Sequence, residues 1–111
     1  AGVAQFQITG AAASVVRPAD QPLEPVSISA ATLKVDFDKS RFGTRLQVQG
    51  PQLGQDIVQA SGSIDALGQM RAASGNVSVQ GGLSSNGREA GYLFQKPVSS
   101  GMLQGATLWG R

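Results

Sequence analysis

The chain has 111 residues, which is the usual length of one domain. Hydrophobic residues make up 41% and charged residues 14%, a balance that argues against intrinsic disorder. With no Cys and no His, the chain can form no disulfide, Ser-His-Asp triad, zinc finger or haem-ligating histidine. The net charge is only +2, and the basic residues are scattered along the sequence rather than gathered in a stripe. We therefore expect no nucleic-acid partner.

The sequence contains neither an apolar run of roughly 18 residues nor a basic segment followed by an apolar one at its start. A membrane-spanning helix needs the first, and a secretory signal needs the second. We expect no transmembrane segment in this chain. The length also suits a domain cut from a longer polypeptide.

From the start of the chain, short alternating segments predict β-strands. The segment Val3 to Thr9 carries Phe6 and Ile8 at strand spacing. The proline-rich stretch Arg17 to Pro25 predicts an irregular loop.

The most regular pattern lies between Ala31 and Val48, where apolar and polar residues alternate on both sides of a polar break. This predicts a hairpin with a loop at Asp38 to Arg41. In that register Phe37 pairs with Phe42, and Lys34 lies opposite Arg45. The remaining predicted pairs are Val35 with Thr44, Leu33 with Leu46 and Ala31 with Val48.

The second half repeats the pattern in shorter pieces, separated by Gly, Asn and Ser. Gln69 to Ala73 predicts a short strand. Lys96 to Gly101 predicts a loop in a last hairpin, with Phe94 opposite Leu103 and Tyr92 over Gly105. Two further strands are predicted from faces shared by Val58, Ala60, Gly62 and Ile64, and by Val77, Val79, Gly81 and Leu83.

No segment has the length and periodicity of a stable helix. Short strands with breaks about every 8 to 12 residues favour an all-β sandwich or barrel. We predict an antiparallel up-and-down β-barrel of about eight strands over residues 1–111, because closure removes the exposed strand edges.

Few residues could carry chemistry. Asp36 and Asp38 have a spacing found in calcium loops, but the glycine and glutamate of an EF-hand are missing, and we interpret Asp38 as the start of the hairpin turn. Glu24 and Glu89 are the only glutamates, so a carboxylate hydrolase is a weak alternative. No catalytic, cofactor or metal site is predicted. The candidate partner-contact loop consists of Asn86, Arg88 and Glu89. The aromatics Tyr92, Phe94 and Trp109 are predicted to line the barrel, where they could border a ligand cavity, but at this chain length we expect them to fill it.

The hairpin Ala31 to Phe37 and Phe42 to Val48 contains the motif "L-x-V-D-F … x-T-x-L-x-V". In this motif the chain resembles the small C-terminal barrels of bacterial FecR-domain proteins and the related barrels of transferrin-binding protein B. The opening Gly2 to Gly10 resembles the first strand of that module. The segments Gln80 to Phe94 and Leu103 to Arg111 are similar to its glycine-rich stretch and its final strand.

The resemblance implies a Gram-negative envelope protein, acting in the periplasm without catalytic residues or cofactors. Its partner would be another envelope protein, and this chain a part of a longer one. Our first hypothesis is a non-enzymatic interaction or signalling module. The alternatives are a barrel that binds a small apolar ligand near Tyr92, Phe94, Trp109 and Met102, and a structural or assembly domain.

Overall fold

The computed structural model describes residues 2–17, 22–51, 53–98 and 101–111, except the side chain of Ser74. It is an all-β structure, and within these residues no helix is long and apolar enough to cross a membrane. The strands are β1 (Val3–Val16), β2 (Glu24–Asp36), β3 (Arg41–Gly50), β4 (Gly54–Ile64), β5 (Gln69–Ser74), β6 (Val77–Leu83), β7 (Glu89–Val98) and β8 (Gly101–Gly110).

Each strand pairs antiparallel with the next, and β1 pairs with β8, so the sheet closes into a barrel. The predicted up-and-down barrel of eight strands is confirmed. Closure is uneven, because β5 and β6 are short and the ladder between β4 and β5 holds only Ser63 with Arg71 and Ile64 with Met70. The molecule is elongated, with extents of 47 × 22 × 18 Å.

Period-2 alternation places one face of each strand inside the barrel. Five of the aromatic residues are buried there, and the sixth, Phe37, is half-buried. The core around them is aliphatic, with Val15, Leu33, Leu46, Val58, Met70 and Leu103 fully buried. Because these side chains meet across the barrel, their burial holds the strands together.

The register of the β2–β3 hairpin differs from the prediction by two residues. Val35 pairs with Phe42, and Asp36 pairs with Arg41, so residues 37–40 form the turn. The carboxylate of Asp36 accepts hydrogen bonds from the backbone N–H groups of Asp38 and Lys39, which fixes the turn one residue earlier than expected. A shift of two preserves the inward face.

The shift also corrects the predicted contacts. Arg45 lies opposite Thr32 instead of Lys34, so the expected like-charge pair does not form. A bulge between Ile28 and Ala30 shifts the register again toward the start of β2.

The last hairpin also departs from its predicted register, and β7 continues through Lys96 to Val98 where a loop was expected. Phe94 therefore pairs with Gly105, and Tyr92 pairs with Thr107. A Cβ added to Gly105 would lie 2.7 Å from the Phe94 ring. An aromatic does cover this strand glycine, but it is Phe94 and not Tyr92.

The predicted loop Arg17 to Pro25 is shorter than expected where it can be described. Glu24 and Pro25 belong to β2, while residues 18–21 lie outside the described residues. Glu24 is buried and forms an ion pair with Arg17. This contact explains why the strand begins earlier than the proline content suggested.

Candidate binding site

The interior of the barrel is blocked by Tyr92. This residue lies on β7, and its hydroxyl oxygen is 2.6 Å from Oγ1 of Thr44 on β3. These two strands are four apart in either direction around an eight-strand barrel, so the side chain spans the full diameter. The Thr44 hydroxyl donates to the carbonyl of Thr32 at 3.0 Å, which leaves the Tyr92 O–H as the donor to Thr44.

The other predicted lining residues complete this layer. The Trp109 ring stacks on Tyr92 with centroids 5.9 Å apart, and Phe94 packs edge-on against Tyr92 at 6.3 Å. The indole N–H of Trp109 donates to Oγ1 of Thr107 at 2.7 Å. The three aromatics are buried and their polar atoms are paired within the layer, so they fill the barrel at this level.

The environment of Tyr92 disfavours its ionised form. Burial raises the pKa of Tyr92 to about 12, against hydrogen bonds with Thr44 and Thr107 that lower it. The phenol is therefore neutral at physiological pH. It acts as a fixed hydrogen-bond donor that joins two opposite walls.

A recess of about 470 Å³ lies at one end of the barrel, which we call the mouth. It lies between the β2–β3 turn, the β4–β5 turn and the β6–β7 turn. Half-buried Phe37, Ile64 and Leu83 provide apolar surface, and Leu67 is 83% exposed at this end. The lining also includes Asp36, Ser40, Asp65, Ala66, Gly68, Ser84, Ser85 and Gly87.

Backbone hydrogen bonds hold the three turns in place. Ile64 N donates to the carbonyl of Ser40 at 2.8 Å, and Leu83 N donates to that of Gly68 at 2.8 Å. The β2–β3 turn is also tied to the start of the chain, through Phe37 N and the carbonyl of Gly2. Because the walls are linked by main-chain bonds, the recess is formed before any ligand enters.

Both carboxylates of the recess serve the turns. Oδ1 of Asp65 accepts hydrogen bonds from the N–H groups of Leu67 and Gln69, as Oδ1 of Asp36 does in its own turn. Within the described residues, no group of three or more acidic side chains could hold a metal ion. Asp38 lies in the β2–β3 turn as predicted, but the turn hydrogen bonds are accepted by Asp36, the last residue of β2.

The structure separates the roles of the predicted loop residues. Oδ1 of Asn86 accepts from the Ser84 hydroxyl at 2.7 Å and from Arg88 N at 3.0 Å, so Asn86 shapes the loop. The side chains of Arg88 and Glu89 are exposed. The same loop supplies Ser84, Ser85 and Gly87 to the recess. Its contact with a partner stays a prediction.

The opposite end of the barrel is sealed by charged side chains. Arg17 Nη2 lies 2.8 Å from Oε1 of Glu24, and Oε2 of Glu24 accepts from Leu53 N at 2.7 Å. Nearby, the Lys96 ammonium bridges from β7 to β4 and bonds Oδ1 of Asp56 and the carbonyl of Ile57, both at 2.9 Å. This bridge crosses the gap beyond the short β5–β6 hairpin.

The residues that line the mouth were not predicted as site residues. Phe37 was expected to be a core residue, while Ile64 and Leu83 were expected at the ends of inward faces. The sequence does place these apolar residues at the ends of strands, next to turns. A side chain at the rim of a barrel is covered by the core on one side only, so this position could have indicated a partly exposed apolar surface.

No protein-family model matches the chain, and no curated protein matches it. Among solved structures, the chain is similar to the siderocalin Ex-FABP, which is described as functioning through dual ligand specificities. The TM-score is 0.46 at 10% sequence identity, and the match covers 100% of this chain and 72% of the other.

Proposed function

We propose that this protein is a non-enzymatic binding module that holds a small, mainly apolar molecule in the recess at its mouth. The observation that carries the proposal is the recess of about 470 Å³ between three turns, with the interior beneath it filled. This volume lies within the range of roughly 300–1,000 Å³ usual for ligand pockets.

The contacts of the recess support a binding role. Phe37, Ile64 and Leu83 offer apolar area, and Ser84 and Ser85 provide hydrogen-bonding groups at the edge. The carboxylates of Asp36 and Asp65 line the recess, and the Arg111 guanidinium lies 5.7 Å from the centroid of the Phe37 ring, so charges of both signs border it and the ligand is uncharged. Each carboxylate already accepts two backbone N–H groups, a structural use that supports a site without catalysis.

The test is a thermal-shift screen with uncharged aliphatic and aromatic molecules. A ligand at ten times its Kd adds about 1.4 kcal/mol of stability, which raises the Tm of a domain of this size by roughly 5 °C or more. Leu67→Asp and Ser85→Phe, which alter the edge of the recess or fill it, are expected to remove the shift.

Leu108→Asp is the matched control, because Leu108 is also an exposed leucine but lies on the outer wall. It is expected to keep the full shift. Loss of the shift in this control, or its retention in both recess variants, would contradict a site at the mouth.

A second candidate function is protein interaction through the outer face of β7, β8 and β1. Leu93 and Leu108 are 63% and 61% exposed there, and neither β1 nor β8 contains a charged residue. Exposed apolar patches of this kind often mark interaction sites. The relation to FecR-domain barrels, the periplasmic setting and a role in signalling all belong to this proposal.

A pull-down from an envelope extract compares variants of the outer face with variants of the β6–β7 loop. We expect Leu93→Asp/Leu108→Asp to lose the captured protein, and reversal of the charges at Arg88 and Glu89 to keep it. The opposite result would place the contact at the β6–β7 loop and would reject the outer face.

A further inference from the structure

Four basic residues that are scattered in the sequence come together on one outer wall of the barrel. Lys34, Arg41, Arg45 and Arg71 are exposed and point outward from β2, β3 and β5. The strand register places them in adjacent rows, since Arg41 and Arg71 both pair with Ser63. We call this surface the basic wall.

The positive charge of the basic wall is only partly neutralised. The ion pairs of the described residues are Arg17 with Glu24 and Lys96 with Asp56, and neither involves the wall. The nearest carboxylate in register is Asp36, opposite Arg41, so the four basic residues keep an excess of positive charge over this one acidic residue. An excess of cations on one face produces a positive potential that attracts anions.

The wall also carries a shallow, open depression between Lys34 and Arg45. This recess, of about 650 Å³, is lined by Thr32, Lys34, Gly43, Arg45, Gln59 and Ser61 together with Thr44 and Ala60. Gly43 pairs with Lys34 on one side and with Ser61 on the other. A Cβ added to Gly43 would meet no atom within 4 Å. The space above Gly43 is therefore open, and a side chain at this position would project into the recess.

The chemistry of the recess favours carboxylates over nucleic-acid bases. All six aromatic residues are buried or half-buried, so the basic wall has no exposed ring on which a base could stack. Arg45 and Lys34 line the recess, and a guanidinium binds a carboxylate through two parallel hydrogen bonds. Thr32 and Gln59 add groups that suit a peptide backbone.

We propose that the basic wall docks an extended acidic segment of a partner protein, with Lys34, which pairs with Gly43, and Arg45, two residues further along β3, as the central contacts. This site is separate from the mouth. It does not depend on the small-ligand function, so either proposal can fail alone.

The experiment measures binding of a fluorescent oligoglutamate peptide by anisotropy, using the whole chain at low ionic strength. The variant Lys34→Gln/Arg45→Gln is expected to weaken binding about fivefold or more, because it removes the two charges that pair with the carboxylates of the peptide. The control is Lys39→Gln/Arg88→Gln, in which both residues are exposed and lie in turns. It changes the net charge of the protein by the same amount as Lys34→Gln/Arg45→Gln. It is expected to weaken binding by less than about twofold.

Three results would overturn the proposal. The first is no binding of the peptide by the unaltered protein, and the second is an equal loss in both double variants. The third is tighter binding of single-stranded DNA, or of vesicles containing phosphatidylglycerol, than of the peptide at matched charge. The altered side chains are exposed, so circular dichroism is expected to show unchanged folding in both variants.

Discussion

The two ends of the barrel are closed by different chemistry. At the mouth, backbone hydrogen bonds link three turns around a recess with half-buried apolar side chains. At the sealed end, β5 and β6 stop short, and the ion pair of Lys96 with Asp56 joins β7 to β4 where these strands are not paired, while Arg17 and Glu24 form an ion pair beside the last β1–β2 backbone pairs. The aromatic layer of Tyr92 and Trp109 lies between the two ends.

The difference shows how one barrel can be stabilised by side chains at one end and can present side chains for ligand binding at the other. Backbone bonds leave the side chains at the mouth free to provide a binding surface. At the sealed end, the Arg17–Glu24 pair is shielded from solvent, whereas the Lys96–Asp56 pair is partly exposed. We therefore expect the largest loss of stability when the shielded pair is broken and the smallest when the partly exposed pair is broken.

The largest loss is expected for Glu24→Ala. The Glu24 side chain is 1% exposed and that of Arg17 is 11% exposed, so the change leaves a shielded cation without its partner. Removing one member of such a pair costs about 3–5 kcal/mol. Urea denaturation measures the loss in the free energy of unfolding.

The variant Glu24→Gln removes the negative charge of Glu24 but keeps the size of its side chain. The amide oxygen can still accept from Leu53 N, so we expect a smaller loss than for alanine. If Glu24→Ala were as stable as the unaltered protein, the ion pair would not seal this end.

The next effect is expected for Tyr92→Phe. The ring and its stacking on Trp109 are kept, while the bond to Thr44 is lost. Thr44 still donates to Thr32, so the cost is about 0.5–1.5 kcal/mol by urea denaturation. Thr44→Val is the matched change, and it is expected to cost about 1–3 kcal/mol because it leaves the buried phenol without its acceptor.

The same residue predicts a dependence on alkaline pH. The folded pKa of Tyr92, about 12, lies above its ordinary value of 10.0 because of burial. The neutral phenol is thus favoured by folding, and its contribution is full below pH 10.0 and is lost as the pH rises toward about 12. The chain has one tyrosine, so absorbance of tyrosinate follows it directly.

The difference in stability between the unaltered protein and Tyr92→Phe isolates this group from the lysines. It is expected to shrink across that pH interval. A phenol that titrates near 10.0 in the folded protein would mean that the aromatic layer is open to water.

The smallest effect is expected for Asp56→Asn. Burial alone raises the pKa of Asp56, but hydrogen bonds from Lys96 and Ile57 N and the charge of Lys96 together lower it below 3.8. The pair is partly exposed, so its loss costs about 0–1 kcal/mol. The contribution is present above pH 3.8 and is lost as the pH falls through the folded pKa.

Acid denaturation of the two proteins checks this prediction. Their stabilities are expected to differ at neutral pH and to converge in acid. If the difference in the free energy of unfolding were the same at all pH values, the effect of Asp56→Asn would come from packing and not from the ion pair.

The sequence predicted the barrel because alternation of residues fixes which face of a strand is buried. It missed both hairpin registers by two residues, because a shift of two keeps the same face inward and only the turn decides between them. Asp36 decides the first, through bonds to Asp38 and Lys39 that alternation cannot reveal. Surfaces built from distant strands, such as the mouth and the basic wall, depend on the register around the barrel.

The measurement that most directly tests the account is an NMR titration with a ligand found by the thermal-shift screen. We expect the methyl signals of Ile64, Leu67 and Leu83 to shift, while the indole N–H of Trp109 stays bonded to Thr107 and unchanged. A shift of the Trp109 signal with unchanged methyl signals at the mouth would place the ligand inside the barrel. It would contradict the filled interior on which the proposed function rests.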